Sequence, residues 1–401
     1  MFGEIRRILH TGKGSPRKRP IAALLHATLW PILLIPRLFW PRRRSETLPP
    51  SPRILLIRID GIGDLAMSSA SFSALRKRYP DSEIDLLTSD SAKAIGELMK
   101  SSGWIDHVYT LRLYQRTFGQ YRAMARQLRA RKYDVGIDLR GDLRNILLIW
   151  LAGAPIRLGL TGSGLAYLLT QAIELPVPHH QSEEPAALVG RLGVEHVERW
   201  ARLSLRAEDI AAADRWLTEQ GVQSHRPLCA MHLGAFQPSK IWPLDRFIAT
   251  AQRLQNETNA QIVIIGGKTD VELSQEFATR FAQPIFMAAG AMPLTVTAAL
   301  LARCALLIGN DSGPAHVAAA VGCPVVVIFG NGNPAIFGPR SPQAIMLRSP
   351  HPCDPRCNKL CARPETCCML DVEVEMVVSS AKSLMSQRTA PAAVAGSSQM
   401  T

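Results

Sequence analysis

The sequence predicts an α/β protein of two domains, each built on a parallel sheet. From residue 54 onward, short apolar runs alternate with helical patterns, and this alternation is typical of βαβ units. The pattern ends near residues 205–225 and begins again at residue 228, so the chain contains two such series. With 401 residues, 47% of them hydrophobic, the chain is long enough for two domains with packed cores.

Each predicted strand is an apolar run that ends in a turn containing glycine or polar residues. In the first series the strands are 54–59, 84–88 and 135–139, with one helix expected from the glycine turn to about residue 79. In the second series the strands are 228–232, 261–265, 305–308 and 324–329, with helices at 244–257, at 271–281 and from about 314. The chain therefore divides into an extension (1–52), a first domain (53–205), a second domain (206–387) and a tail (388–401) that we expect to be disordered.

The N-terminal extension combines positive charge with an apolar stretch. Of the net charge of +13, residues 1–53 contribute +9, from eleven Lys/Arg and two acidic residues (11 − 2). Residues 21–40 are apolar, but only 17 uncharged residues separate Arg19 from Arg37, whereas a spanning helix needs about 20. We expect an anchor that lies on an anionic membrane surface; a true span, or an extension packed on the domain, are the alternatives. Charge that brackets an apolar stretch is not typical of a nucleic-acid-binding face.

The first glycine turn, at 60–66, follows a predicted strand and begins a helix. Gly61 and Gly63 permit a tight turn and a close approach to the backbone. The spacing also fits a dinucleotide-binding fingerprint, in which Asp90 would contact the ribose. However, the carboxylate of Asp64 would repel a pyrophosphate. We interpret Asp64 as a helix N-cap, as a general base for an acceptor hydroxyl, or as both.

A second polar turn follows the strand at 135–139. It carries Asp138, Arg140, Asp142 and Arg144, and Arg157 follows after a short helix. Function concentrates at the carboxyl ends of parallel strands. One interpretation is an ion-paired loop; the other is an acceptor platform in which Arg144 or Arg157 holds a phosphate or carboxylate by bidentate contacts.

Two turns of the second domain suit a diphosphate. Lys240 lies in a loop between a strand and a helix, where it offers a point charge. Ser312 and Gly313 lie where a helix begins, so their backbone N–H groups and the serine hydroxyl could hold phosphate. His316 lies one turn further along, as a ligand contact or a core histidine. Asp311 is expected to orient the loop or a hydroxyl. There is no D-x-D motif to hold a divalent metal, so we expect no metal cofactor.

The eight cysteines fall into two groups. Cys229, Cys304 and Cys323 have apolar neighbours and are expected in the core, and the other five lie between residues 353 and 368. We find no cleavable signal peptide, so a reducing compartment is expected. The five clustered cysteines are interpreted as a structural zinc site, a disulfide-bonded or redox-labile loop, or reduced packing residues. The candidate zinc ligands are Cys353, Cys357, Cys361 and Cys368.

Taken in order, these motifs resemble glycosyltransferase family 9, which includes the ADP-heptose:lipopolysaccharide heptosyltransferases. The resemblance covers about residues 53–380. It rests on R-x-D-x-I-G-D at 58–64, D-L-R-G at 138–141, R-L-G at 157–159, K-x-W-P at 240–243, G-G-x-x-D at 266–270 and D-S-G-x-x-H at 311–316.

The resemblance implies a GT-B fold of two Rossmann-like domains around a cleft, with inverting chemistry and no metal. It implies that Asp64 is the catalytic base, and that the acid contacting the donor ribose is Asp270 or Glu272. The acceptor-binding residues would be Gly63, Arg144 and Arg157. The donor phosphates would be held by Lys240 and by the loop of Asp311, Ser312, Gly313 and His316.

The expected function is transfer of a sugar, heptose from ADP-heptose, to a lipid-linked acceptor of the lipopolysaccharide-core type. The enzyme would act in the cytoplasm, on the inner face of the bacterial inner membrane. The family usually has T-x-P after G-D, where this chain has Ser68, Ser69 and Ala70, which bears on the acceptor and donor sugar. The alternatives are an NAD(P)-dependent Rossmann oxidoreductase and a non-catalytic, membrane-associated sugar-binding protein.

Overall fold

A computed structural model describes residues 48–112, 117–351, 353, 357, 360–362 and 367–387. The chain divides into two compact units between Arg206 and Ala207. Each unit contains one six-stranded sheet in which all neighbouring strands are parallel. The predicted α/β class, with a parallel sheet in each half, is confirmed.

The sheet of the first unit has the strand order β3-β2-β1-β4-β5-β6. Its central strands are completely buried, and most of their residues are apolar for this reason, although Asp85 and Asp138 are buried within them as well. The strands are β1 (Ile54–Arg58), β2 (Ile84–Ser89), β3 (His107–Leu111), β4 (Val135–Asp138), β5 (Ile156–Leu160) and β6 (Gln171–Ile173). The helices are α1 (Ile62–Met67), α2 (Ser69–Arg78), α3 (Lys93–Ser101), α4 (Phe118–Ala130), α5 (Leu143–Ala152) and α6 (Glu183–Gly190).

The helix after the first glycine turn differs from its prediction. Instead of one helix to about residue 79, α1 ends at Met67 and α2 begins at Ser69. Between them, the Ser68 hydroxyl donates a hydrogen bond of 2.9 Å to the carbonyl of Asp64, four residues earlier. A serine hydroxyl that bonds to a helical carbonyl in this way favours a bend in the helix. The break leaves α1 as a separate turn of helix that carries Asp64.

The sheet of the second unit has the order β12-β11-β10-β7-β8-β9. Its strands are β7 (Leu228–His232), β8 (Gln261–Ile265), β9 (Phe286–Met287), β10 (Leu306–Asn310), β11 (Val325–Phe329) and β12 (Ala344–Arg348). Its helices are α7 (Ala207–Glu219), α8 (Leu244–Thr258), α9 (Val271–Phe281), α10 (Leu294–Arg303), α11 (Gly313–Ala320), α12 (Pro334–Phe337) and α13 (Val374–Gln387).

The core of the second unit is anchored by Trp242, which is completely buried. Its ring packs edge-on against Phe247, with centroids 5.0 Å apart, and its indole N–H donates to the carbonyl of Val372 at 3.0 Å. This indole therefore joins the loop before α8 to the segment before α13. The three isolated cysteines are also buried, as predicted: Cys229, Cys304 and Cys323.

Two predicted segments fall outside the described residues: the apolar stretch 21–40 and the tail 388–401. Within the described part of the chain, every helix is too short or too polar to cross a membrane.

Candidate active site

Asp64 lies in the first turn of α1, immediately after the carboxyl end of β1. Gly61 occupies the N-cap position, and no side chain caps the helix, so the N-cap interpretation of Asp64 is wrong. The Asp64 side chain is 31% exposed, and its Oδ1 lies 3.7 Å from Nη2 of the buried Arg58. Gly63 is buried within the same turn. Because glycine has no side chain, its predicted acceptor contact would be made by the backbone. The carboxylate of Asp64 is therefore accessible and positioned by a cation.

Two further charged groups surround this carboxylate. The Nε of Arg140 lies 3.5 Å from Oδ2 of Asp60, and the same guanidinium donates to the carbonyl of Ile59. Burial raises the pKa of the Asp60 carboxyl, and the nearby charge of Asp64 raises it further, against the opposing effect of the two arginines. Two carboxylates and two guanidinium groups thus lie close together beyond the end of β1, and Asp64 is the more exposed of the two acids.

The second polar turn is an ion-paired loop, which was the first of its two interpretations. Asp138 is buried and accepts hydrogen bonds from the backbone N–H groups of Arg140 and Asp142 and from Nδ2 of Asn145. Burial raises the pKa of Asp138 to about 6. Asp142 caps α5 and holds the Nε and Nη2 of Arg144 at 2.9 and 2.5 Å. An acceptor anion at Arg144 must therefore compete with a carboxylate already bound to it.

The acceptor-binding role predicted for Arg157 is not supported by its placement. Its Nε donates to the carbonyl of Leu168 at 2.5 Å, and its Nη1 donates to those of Ala154 and Pro155 at 2.7 and 3.2 Å. A guanidinium that satisfies three main-chain carbonyls stabilises the turns on either side of β5. The arginine thus acts in the local fold.

In the second unit, Lys240, Asp311 and His316 come together. The Nζ of Lys240 lies 2.5 Å from Oδ2 of Asp311, and the lysine side chain remains 24% exposed. Gly332 allows this arrangement, because a Cβ there would lie 2.5 Å from Oδ2 of Asp311. Asp311 therefore orients the cation, while the exposed part of Lys240 leaves it accessible to an anionic ligand.

Ser312 and Gly313 lie at the start of α11. Ser312 is the N-cap, but its hydroxyl makes no capping bond, and Gly313 is the first helical residue. The first N–H groups of a helix have no partner within the helix, and the helix dipole favours an anion beside them. The sequence prediction placed a phosphate here, and the described geometry keeps that position available.

A histidine that the sequence analysis did not identify joins two of the predicted residues. The Nδ1 of His232, the last residue of β7, lies 3.1 Å from the Ser312 hydroxyl, and its Nε2 lies 3.5 Å from Oδ2 of Asp270. Burial acts to raise the pKa of Asp270, but the interactions with His232 and the N–H of Gly267 outweigh it and hold that pKa below its usual value. His232 therefore connects the loop before α11 with the turn before α9.

The two candidates for the ribose contact are distinguished by position. Gly234 belongs to the loop that carries Lys240. A Cβ at Gly234 would lie 2.2 Å from Oδ1 of Asp270, so Asp270 packs against this loop. Glu272, in the first turn of α9, is exposed. Asp270 is thus the acid connected to the rest of the site.

Asn310 was also missed, although it lies next to the predicted loop. It is completely buried at the end of β10, where its Oδ1 accepts from the N–H of Trp242 at 3.0 Å. Its Nδ2 donates to the carbonyls of Leu233 and Gly234 at 2.8 and 3.2 Å. One amide therefore fixes both ends of the loop that contains Lys240.

One group of side chains in the first unit has the composition of a metal site, but its carboxylates are already paired with an arginine. Glu83, Asp85 and His107 have ligand atoms within 4.8 Å of one another. Arg131, however, pairs with both carboxylates, and the hydroxyl of Tyr133 donates to Asp85 at 2.6 Å. These groups form a salt-bridge network at the edge of the first sheet.

The buried imidazole of His316 predicts a dependence of stability on pH. Burial lowers its pKa to about 4, from 6.5 in the unfolded chain; the charge of Asp311 opposes this shift, and the charge of Lys240 adds a smaller lowering. Its contribution to stability is complete above about pH 6.5 and is lost as the pH falls towards 4. Between about pH 7 and pH 5, we expect His316 to reduce the free energy of unfolding by roughly 1–2 kcal/mol.

The matched measurement is denaturant unfolding of wild type and His316→Gln at both pH values. The glutamine variant should lose less stability on acidification than wild type does. Equal losses would mean that His316 does not titrate as its burial implies.

In the second unit, a lysine, a helix N-terminus and a carboxylate lie at the ends of parallel strands, where ligands of such folds commonly bind. The sequence profile of glycosyltransferase family 9 (heptosyltransferase) matches residues 121–366, more than half of the chain. The protein belongs to this family and is a glycosyltransferase. The match contains Arg144, Lys240 and Asp311 but begins after Asp64.

Curated relatives agree with this assignment, and solved structures share the fold. The chain is 27% identical over 312 residues to lipopolysaccharide heptosyltransferase 2 of Salmonella typhimurium, an alignment that covers 74% of this chain and 88% of the relative. It resembles a family 9 glycosyltransferase of Veillonella parvula, with a TM-score of 0.73, 24% identity, and coverage of 84% of this chain and 97% of that one. It also resembles ADP-heptose lipopolysaccharide heptosyltransferase II of Escherichia coli, with a TM-score of 0.69, 24% identity, and coverage of 84% and 100%. The predicted GT-B fold type is confirmed.

Proposed function

We propose that this glycosyltransferase moves a heptose from ADP-heptose to a lipid-linked acceptor of the lipopolysaccharide-core type, with inversion and without a metal. The observation that carries the proposal is the partly exposed Lys240 side chain, which Asp311 holds in the loop after β7. The family assignment and the heptosyltransferase relatives support the sugar and the acceptor class. They give no support to an NAD(P)-dependent oxidoreductase or to a non-catalytic sugar-binding protein.

The donor binds in the second unit in this proposal. Lys240 and the N–H groups at the start of α11 hold the diphosphate, and Asp311 keeps the ammonium in position. Negative charge accumulates on the diphosphate as the glycosidic bond breaks, so these groups stabilise the transition state more than the ground state. Asp270 is the proposed acceptor of a ribose hydroxyl, because its carboxylate contacts the same loop.

In the first unit, Asp64 is the proposed general base. Its accessible carboxylate takes the proton of the acceptor hydroxyl as that oxygen attacks the anomeric carbon. The bond from that carbon to the diphosphate breaks, and ADP leaves with the electron pair. Attack opposite the leaving group inverts the configuration. Arg58 keeps the Asp64 side chain in position throughout.

A thermal-shift comparison of nucleotide sugars tests the donor. A ligand present at 100 times its Kd stabilises the native state by about 2.7 kcal/mol. ADP-heptose and ADP should raise the Tm, whereas UDP-glucose and GDP-mannose at the same concentration should leave it unchanged. A Tm raised by NAD, with no response to ADP-heptose, would favour the oxidoreductase instead.

The proposed location is the cytoplasmic face of the inner membrane, where the basic N-terminal extension binds anionic lipid. The charge of +9 on residues 1–53, which brackets the apolar stretch 21–40, supports this part of the proposal. Removal of residues 1–50 should release the protein from vesicles containing anionic lipid and leave transfer to a delipidated acceptor unchanged. Vesicle co-sedimentation measures the first effect; equal sedimentation of the full and shortened chains would rule out the anchor.

A further inference from the structure

His232 is a buried imidazole to which the proposed mechanism gives no role. It is the last residue of β7, and its side chain is only 6% exposed. Its Nδ1 lies 3.1 Å from the Ser312 hydroxyl, and its Nε2 lies 3.5 Å from Oδ2 of Asp270. Ser312 is the N-cap of the helix proposed to bind the diphosphate, and Asp270 is the acid proposed for the ribose. Both ring nitrogens therefore face residues of the donor site.

Small neighbours make room for this imidazole. In the sheet, His232 is in register with Gly309 of β10 and with Ile265 of β8. A Cβ at Gly309 would lie 3.2 Å from both the Cβ and the carbonyl oxygen of His232, and a Cβ at Gly234 would lie 3.8 Å from its Cε1. The two glycines therefore leave the ring space between the loop before α11 and the turn before α9.

Asp270 is the ionisable side chain that the structure places against the ring. The neighbouring strands contribute Gly309 and Ile265, which carry no charge, and the start of α11 contributes a hydroxyl. In the adjoining loop, Lys240 and Asp311 form an ion pair whose opposite charges partly offset each other. A positive charge on the imidazole would therefore be stabilised mainly by Asp270.

The protonation of the ring decides what the serine hydroxyl can bind. The Asp270 carboxylate accepts hydrogen bonds but donates none, so it holds a proton on Nε2. If Nδ1 carries no proton, it accepts the proton of the Ser312 hydroxyl, and the serine then presents only lone pairs to an anion. If Nδ1 is also protonated, it donates to Oγ, and the hydroxyl can donate its own proton to a phosphate oxygen.

We propose that His232 is a positioning residue that takes up a proton when the donor binds, which turns the Ser312 hydroxyl into a hydrogen-bond donor to the diphosphate. This inference rests on the proposed function, since it needs the diphosphate at the start of α11. The negative charge of the diphosphate, together with that of Asp270, favours the imidazolium. The proton comes from solvent and returns to it when ADP leaves, so the reaction consumes none.

Calorimetric titration with ADP-heptose, in two buffers of different ionisation enthalpy, measures this proton. ADP-heptose is the probe because both of its phosphates are esterified, whereas the terminal phosphate of ADP itself titrates near neutral pH. At about pH 7.5, wild type should take up part of a proton, at most about one per ligand, and the Kd should rise with pH by at most about tenfold per unit. An absence of net proton uptake by wild type, or a net release, would overturn the proposal.

His232→Asn separates this positioning role from a merely structural one. The asparagine amide can donate to the Ser312 hydroxyl at any pH, but it cannot take up a proton. The variant should bind ADP-heptose without linked proton uptake and with a Kd nearly independent of pH. His225→Asn, in the exposed turn before β7, is the matched control and should keep the proton uptake and the Kd of wild type. Equal proton uptake by His232→Asn and wild type would refute the role of His232.

Ser312→Ala tests the same link if the histidine variant fails to fold. It removes a partly exposed hydroxyl that makes no capping bond, so α11 should form as in wild type. The imidazolium then has no acceptor at Nδ1, and proton uptake should fall well below that of wild type. The Kd for ADP-heptose should rise about 10–150-fold, the range for a hydrogen bond to a charged group. Proton uptake that is unchanged in this variant would contradict the proposal.

The outcomes also distinguish this inference from the proposed function. Wild type that binds ADP-heptose without proton uptake contradicts the role of His232 and leaves the donor site intact. Wild type that binds no ADP-heptose contradicts the donor site itself, and this inference fails with it.

Discussion

Replacement of Asp64 by asparagine is expected to lower kcat by about 10²–10⁴-fold, the contribution typical of a general base. Asparagine keeps the size of the side chain in the first turn of α1, but it cannot accept a proton. The helix does not depend on this residue for capping, since Gly61 is the N-cap and no side-chain cap is present. Binding of the donor, which is assigned to the second unit, should change little. Steady-state transfer rates and the Kd for ADP measure the two effects.

Asp60→Asn is the matched control for this variant. The Asp60 carboxylate lies in the same turn but is already bound by Arg140 and the N–H of Gly61, at 3.5 and 3.1 Å. Its replacement should lower kcat less than that of Asp64. If Asp64→Asn keeps more than about a tenth of the wild-type kcat while Asp60→Asn loses more, the base is Asp60.

Replacement of Lys240 by alanine should raise the Kd for ADP about 10–150-fold. Charge-assisted hydrogen bonds contribute about 1.5–3 kcal/mol, and each 1.4 kcal/mol is a factor of ten in affinity. The loss also leaves Asp311, only 7% exposed, without its ion-pair partner beside the incoming diphosphate. Adenosine, which lacks the phosphates, should bind the variant about as well as it binds wild type. Calorimetric titration with both ligands measures the difference.

Lys382→Ala removes the same charge from α13, where the ammonium pairs with Glu257 at 2.8 Å on the surface. This control should bind ADP as wild type does, apart from a small effect of net charge. Equal losses of ADP and adenosine affinity in Lys240→Ala would remove Lys240 from the phosphate site.

The strands that the sequence predicted are those whose residues are all buried. β1, β7, β8, β10 and β11 are continuous apolar runs because both faces of a parallel sheet are covered. The strands that were missed lie towards the sheet edges. β3 (HVYTL) is partly exposed and mixes polar with apolar residues, and β9 has only two residues. Burial on one face, or so short a length, leaves little periodic signal in the sequence.

The predicted site residues were those in glycine-containing turns after strands. Lys240, Asp311 and Ser312 were predicted in this way, and the structure places Lys240 beside Asp311 because parallel strands bring such turns to one edge of the sheet. His232 was missed because its contact with Ser312 depends on the pairing of β7 with β10, which the sequence does not specify.

Arg157 is a different case, because its acceptor contact stays a prediction while its partners in the fold are visible. Its sequence position suits an anion site, but the carbonyls that its guanidinium binds are set by the fold of the turns around β5. The partners of a guanidinium can be carbonyls as readily as carboxylates, and the sequence alone does not distinguish them.

The proposed transfer of heptose from ADP-heptose by this chain is tested directly by one assay. Purified protein is incubated with ADP-heptose and a delipidated lipopolysaccharide-core acceptor that lacks the outer heptose, and the products are analysed by mass spectrometry. We expect the acceptor to gain the mass of one heptose residue, with release of one ADP for each transfer, and Asp64→Asn to form almost none of this product. An acceptor of unchanged mass after prolonged incubation, with ADP-heptose bound but intact, would contradict the account.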